Sequence, residues 1–206
     1  MLETIRSGAP VVNEEGVDVV QAARADAQRN RELLVAAARE AFAARGTDAS
    51  LRDVARSAGV GIGTLYRHFP TREALLEALV DSNFEELRAR ADELLDSPRA
   101  PQDALEQWLT ELAAGARTYA GLPQSIMAAL ADENSQLHAS CAAMRAACAR
   151  LLDGAQKAGT VRSGVTASEV IALAVGLAWA AQQPGAPANS MARLLSTAMH
   201  GLVVPG

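Results

Sequence analysis

Residues 51–69 read LRDVARSAGVGIGTLYRHF, and this stretch has the steric pattern of two short helices meeting across a tight turn. Ala55 puts a small side chain where such helices must touch. Four positions on, Gly59 supplies the positive φ of the turn without the Cβ clash that another residue would suffer. Val54, Val60 and Leu65 are the apolar residues that flank the turn and anchor the second helix from beneath. A helix-turn-helix of this kind lays its second helix in the DNA major groove.

Working outward from this unit, the chain reads as helical in both directions. Leu33, Ala37 and Ala41, with Leu34, Ala38 and Phe42 one position on, form the apolar stripe of a preceding helix that closes at Gly46. Residues 1–23 lack sustained periodicity and contain Gly8, Pro10 and Gly16, which reads as a mobile arm. The DNA-binding domain is therefore expected at 24–70. Beyond it, Thr71 caps a long helix reaching about Leu95, and Ser97–Pro101 break it. Further helical stripes run through Leu105–Tyr119, Ile126–Leu130 and Leu137–Ala155. Thr166 and Glu169 form a capping box for a helix through Ala181, and Ser190 caps a last helix to Leu202. The fold class is thus all-α, with an N-terminal three-helix helix-turn-helix domain and a C-terminal helical bundle over 71–206.

Composition agrees with that class. Half of the 206 residues are hydrophobic, 21% are charged and 3% are aromatic, so the core is built from Ala, Leu and Val, which favour helices over strands. The net charge of −5 hides segregation. Residues 1–23 carry one Arg against four acids, residues 24–72 nine Arg against five acids, and residues 73–206 nine bases against fifteen acids. A basic block joined to an acidic remainder suits a small DNA-binding domain on a larger partner domain. Cys141 and Cys148 lack companion ligands at zinc spacing, so free thiols in a reducing compartment are expected. The chain shows no apolar signal segment and no run long enough for a membrane span, which points to the cytoplasm. No cofactor motif is found. Gly59, Gly61 and Gly63 follow no strand and precede no phosphate-binding lysine.

The run VGIGTLYRHFPTREALL, residues 60–76, resembles the tetracycline-repressor (TetR/AcrR) family of bacterial regulators. The resemblance extends over about residues 29–80 and implies a transcriptional regulator, not an enzyme: a homodimer on a palindromic operator, commonly released by a small molecule held in the C-terminal domain. Carried over residue by residue, it implies that Ile62, Gly63 and Thr64 meet base edges. Tyr66, His68, Thr71 and Thr47 fall at phosphate-binding positions, and Arg72 stands where the family usually has Lys. Arg52 and Arg67 are added from charge and position alone. Gly61 departs from the Ser or Thr often found at the cap of the recognition helix.

For the C-terminal half, Trp108, Leu112, Tyr119, Met127, Cys141 and Met144 are candidates to line a ligand cavity, and core packing accounts for each equally well. Such a cavity would prefer an apolar or aromatic effector. The helix over 167–181 is apolar on nearly every side and so must be buried all round. With 190–202 it is the expected homodimer interface, as a four-helix bundle. A constitutive DNA-binding protein without an effector is the alternative.

Overall fold

The computed structural model describes residues 14–118, 122–183, 185–186 and 190–202. Among them the regular elements are helices: α1 Glu14–Arg45, α2 Leu51–Ser57, α3 Ile62–His68, α4 Arg72–Leu95, α5 Pro101–Thr118, α6 Gln124–Ala131, α7 Gln136–Lys157, α8 Ala167–Ala180 and α9 Ser190–Leu202. The all-α class holds.

The helix ends are set by local chemistry. Ser50, Thr71 and Ser135 each accept from the backbone N–H three residues on, at 3.4, 3.1 and 3.0 Å, opening α2, α4 and α7; such caps contribute ~1 kcal/mol each. Thr166 and Glu169 close the reciprocal box that opens α8. Its backbone and hydroxyl donors hold the Glu169 carboxyl below its usual range. At the end of α2, Gly59 has φ +70. Its N–H reaches Arg56 O, and that of Val60 reaches Ala55 O, the paired bonds of a Schellman stop.

Two cores organise the chain. One gathers Leu34, Ala38 and Phe42 of α1, Val54 and Ala55 of α2 and Leu65 of α3 with Leu75, Leu76 and Leu79 of α4, and Ile126 and Leu137 join it from α6 and α7. The other is centred on Trp108, Leu105 and Leu109 of α5, packed with Leu87 and Leu94 of α4, Met144 and Leu151 of α7, Val170 and Ala174 of α8, and Leu195 and Met199 of α9. Helix α4 supplies side chains to both cores. The helix-turn-helix unit and the C-terminal bundle thus share α4 and do not part cleanly at residue 70.

Three expectations change. Residues 14–23, read as part of a mobile arm, belong to α1; the following residues 23–29 are exposed, so no core stripe there extends the helical pattern of residues 33–42 toward the N-terminus. Ser190 is the first residue of α9, not its cap. Most informative is α8. It is not buried all round within one protomer, because only Val170, Ala174 and Ala178 are buried, while Leu173, Val175 and Trp179 stay exposed, Trp179 at 64%.

Candidate DNA interface and a cavity in the helical domain

The core fixes α3 by one side. Leu65 is fully buried and Phe69, just past the helix, nearly so, and Ile62 packs partly against the same core. The opposite face is open. Tyr66 is 50% exposed, Gly61, Gly63 and Arg67 are exposed, and Thr64 and His68 are half-buried. Gly61 caps α3 through its backbone alone. Its carbonyl accepts from Thr64 at 2.9 Å and from Leu65 at 3.2 Å. A Cβ built at Gly61 or Gly63 would meet nothing. Neither glycine is demanded by internal packing, and both leave the backbone bare at the exposed start of α3.

The structure sorts the arginines of the basic segment. Arg45 and Arg56 both pair with Asp53, at 3.2 and 2.5 Å, and Arg39 pairs with Glu86. Arg52 and Arg67 are exposed and have no acid partner among the described residues. Arg72 differs from its expected role. Its guanidinium donates to Thr47 O at 2.8 Å and to Ala49 O at 2.6 Å, so it clasps the α1–α2 loop to the start of α4. One guanidinium nitrogen makes both bonds and holds the loop that carries Thr47, so Arg72 has a positioning role within the fold. Thr71 caps α4 with its oxygen, which leaves the hydroxyl hydrogen free to donate outward.

In the C-terminal domain a cavity of about 620 Å³ lies between α4, α5, α6, α7 and α8. Leu112, Met127, Cys141 and Met144 line it, as do Val80, Asn83, Phe84, Ala116, Leu122, Leu130, Arg145, Ile171 and Val175. The size falls within the usual range for small-molecule sites. Trp108 does not line it. Its ring is fully buried and its Nε1–H donates to Leu87 O of α4 at 2.8 Å, because a buried indole needs an acceptor. Tyr119 lies outside the described residues. The wall residues that the sequence did not single out, such as Phe84 and Ile171, sit on helices whose relative rotation no local pattern fixes.

The two thiols differ. Burial pushes the Cys148 thiol up to about 12, whereas Cys141 is half-buried on the cavity wall. A buried thiol that stays protonated is a poor nucleophile. Alkylation of the native protein at pH 8 should modify Cys141 and spare Cys148, with both labelled after unfolding. Mass spectrometry showing equal native rates would contradict this burial. Among the described residues no group of three or more His, Cys, Asp and Glu is placed to hold a metal, and no helix is long and apolar enough to cross a membrane.

An α3 held from below and bare above, flanked by free cations and hydroxyls, defines a helix-turn-helix DNA-binding protein. Residues 34–79 match the family of bacterial regulatory proteins, tetR family. Residues 100–204 match the SbtR-like transcriptional regulator C-terminal domain. The chain belongs to the TetR family of transcriptional regulators, which are not enzymes and which bind DNA operators and dimerise. The fold resembles that of the TetR regulator SCO0520 from Streptomyces coelicolor at 34% identity and a TM-score of 0.69, over 85% of this chain and 99% of that one. A TetR regulatory protein from Mycobacterium vanbaalenii aligns at 32% identity and a TM-score of 0.62, over 88% and 99%. Among curated relatives, the transcriptional repressor KstR2 of Mycolicibacterium smegmatis is 39% identical over 80 residues, 38% of each chain. The curated relatives first matched are spanned over less than two fifths of their length.

Proposed function

We propose that the protein is a ligand-responsive repressor that binds a palindromic operator as a homodimer. Each α3 enters a major groove, with Ile62, Gly63 and Thr64 toward base edges and Tyr66, His68, Thr71, Thr47, Arg52 and Arg67 toward phosphates. The dimer is formed by α8 and α9 with their symmetry mates. An apolar or aromatic effector occupies the cavity.

One observation carries the reading. Leu75, Leu76 and Leu79 of α4 lie in the core that seats Leu65 of α3, and the next turn of α4 puts Val80, Asn83 and Phe84 on the cavity wall. A ligand that moves this turn therefore moves the seat of α3. Two recognition helices must sit about 34–36 Å apart to enter successive grooves. An effector that binds the wrongly spaced state more tightly drains the operator-bound state, and one indifferent to spacing does nothing.

Selection of bound fragments from genomic DNA should return an inverted repeat; fragments without two-fold symmetry would sink the homodimeric reading. Gly63 gives a sharper test. Within α3, Gly63→Ala is expected to add ~1 kcal/mol of stability through helix propensity, because the new methyl clashes with nothing in the fold. The same methyl stands between backbone and DNA, so operator affinity should fall while thermal stability rises. A variant that is stabilised and binds as tightly as the parent would remove Gly63 from the interface.

A further inference from the structure

We infer that the cavity takes a monoanionic amphiphile, an apolar body whose single carboxylate rests on Arg145 at the mouth. The inference builds on the effector reading above and narrows the ligand's class.

The inner wall, with Phe84, Leu112, Met144 and Ile171, is apolar, and among the described residues no Asp or Glu lines the cavity. Among the described residues Arg145 is the one charged side chain on it. Two other arginines, one on the same helix and one on α4, are neutralised from within. Arg150, five residues along α7, reaches Asp92 at 2.6 Å, and Arg90 reaches Glu111 at 3.0 Å. Among the described residues Arg145 has only the Cys141 sulfur, at 3.5 Å, a weak acceptor. The residue is exposed.

A guanidinium fork matches a carboxylate with two parallel hydrogen bonds. A neutral hydrophobe would leave it unused, and a cation would be repelled. Asn83 adds a second polar point. It makes no side-chain hydrogen bond to another described residue, and a Cβ at Gly115 would come within 3.0 Å of its Oδ1. The bare backbone of α5 at Gly115 thus lets the Asn83 amide sit where it does, ready to bond a ligand oxygen. An apolar interior with a cationic rim selects a tail-in, head-out acid.

The test uses the full-length protein and two fluorescent probes, cis-parinaric acid and its methyl ester. The acid should bind the parent about tenfold or more tighter than the ester, the scale of a charge-assisted hydrogen bond, and added salt should weaken the acid alone. In Arg145→Gln the acid should fall to the ester's affinity with the ester unchanged, and Arg145→Lys should recover part of the difference. Because Arg145 is exposed, these variants should fold as the parent does, which thermal unfolding checks. Equal binding of acid and ester to the parent, or an acid affinity untouched by Arg145→Gln, overturns the anionic class and leaves the effector cavity standing. Failure of both probes to bind overturns the cavity reading as well.

Discussion

Gly176→Arg is expected to convert the dimer to monomers and to lower operator affinity by about 10²–10⁴, the scale of an avidity that is lost when two sites are uncoupled. Gly176 lies on the outward face of α8, among Ala172, Leu173 and Trp179, all exposed in the protomer. A Cβ there meets nothing within the chain, so an arginine disturbs no internal contact, and the helix gains propensity on losing a glycine. Against a second copy of the face the outcome reverses. Ala172, Gly176 and Ala180 are small residues spaced to let two helices approach closely, and an arginine would hold them apart and bury a charge without a partner. Sedimentation should give the protomer mass at micromolar concentration, and Trp179 emission should shift to the red as its ring meets water. An intact dimer with undiminished operator binding would place the interface elsewhere.

The same comparison disqualifies a more obvious variant. Leu195, in phase on α9, looks like an interface residue in the sequence, yet it is 2% exposed inside one protomer and belongs to the core around Trp108. A Leu195→Glu chain would fail by unfolding, whatever the assembly. Periodicity reveals that a helix has an apolar face, and it cannot tell a face turned to the chain's own core from one turned to a second copy.

That distinction marks how far the sequence could be read. The helix-turn-helix is legible because its constraints are local. Gly59 has the positive φ its turn needs, and Ala55 and Leu65 are buried where a close helix crossing requires. Capping residues at 71 and 166 mark two helix starts by short-range hydrogen bonds. The cavity is less legible, since five helices build it and their rotations depend on side chains far apart in sequence. Leu112, Met127, Cys141 and Met144 stand on its wall. Trp108, one turn before Leu112, does not. Arg72 shows the same limit: its charge and position are visible in sequence, but its hold on the carbonyls of Thr47 and Ala49 is a tertiary fact.

Trp108→Ala is expected to cost about 3–5 kcal/mol of stability, the range for removing a large aromatic side chain from a packed core. The ring is fully enclosed and its N–H is bonded to Leu87 O. Truncation therefore leaves a void between α4 and α5 and strips one hydrogen bond from a dry interior. Domains are stable by only about 5–15 kcal/mol, so the variant should show a markedly lower urea midpoint at matched protein concentration, since the proposed pairing would stabilise each protomer. Met127→Ala is the control. Met127 is 55% exposed at the cavity, and its truncation should move the midpoint by less than about 1 kcal/mol, as surface changes do. Trp108→Phe should fall between them, keeping most of the apolar body and losing about 0.5–1.5 kcal/mol for the hydrogen bond together with the volume difference. A Trp108→Ala chain that unfolds at the parent's midpoint would mean the indole borders open space, and the residue would return to the ligand wall from which the structure separates it.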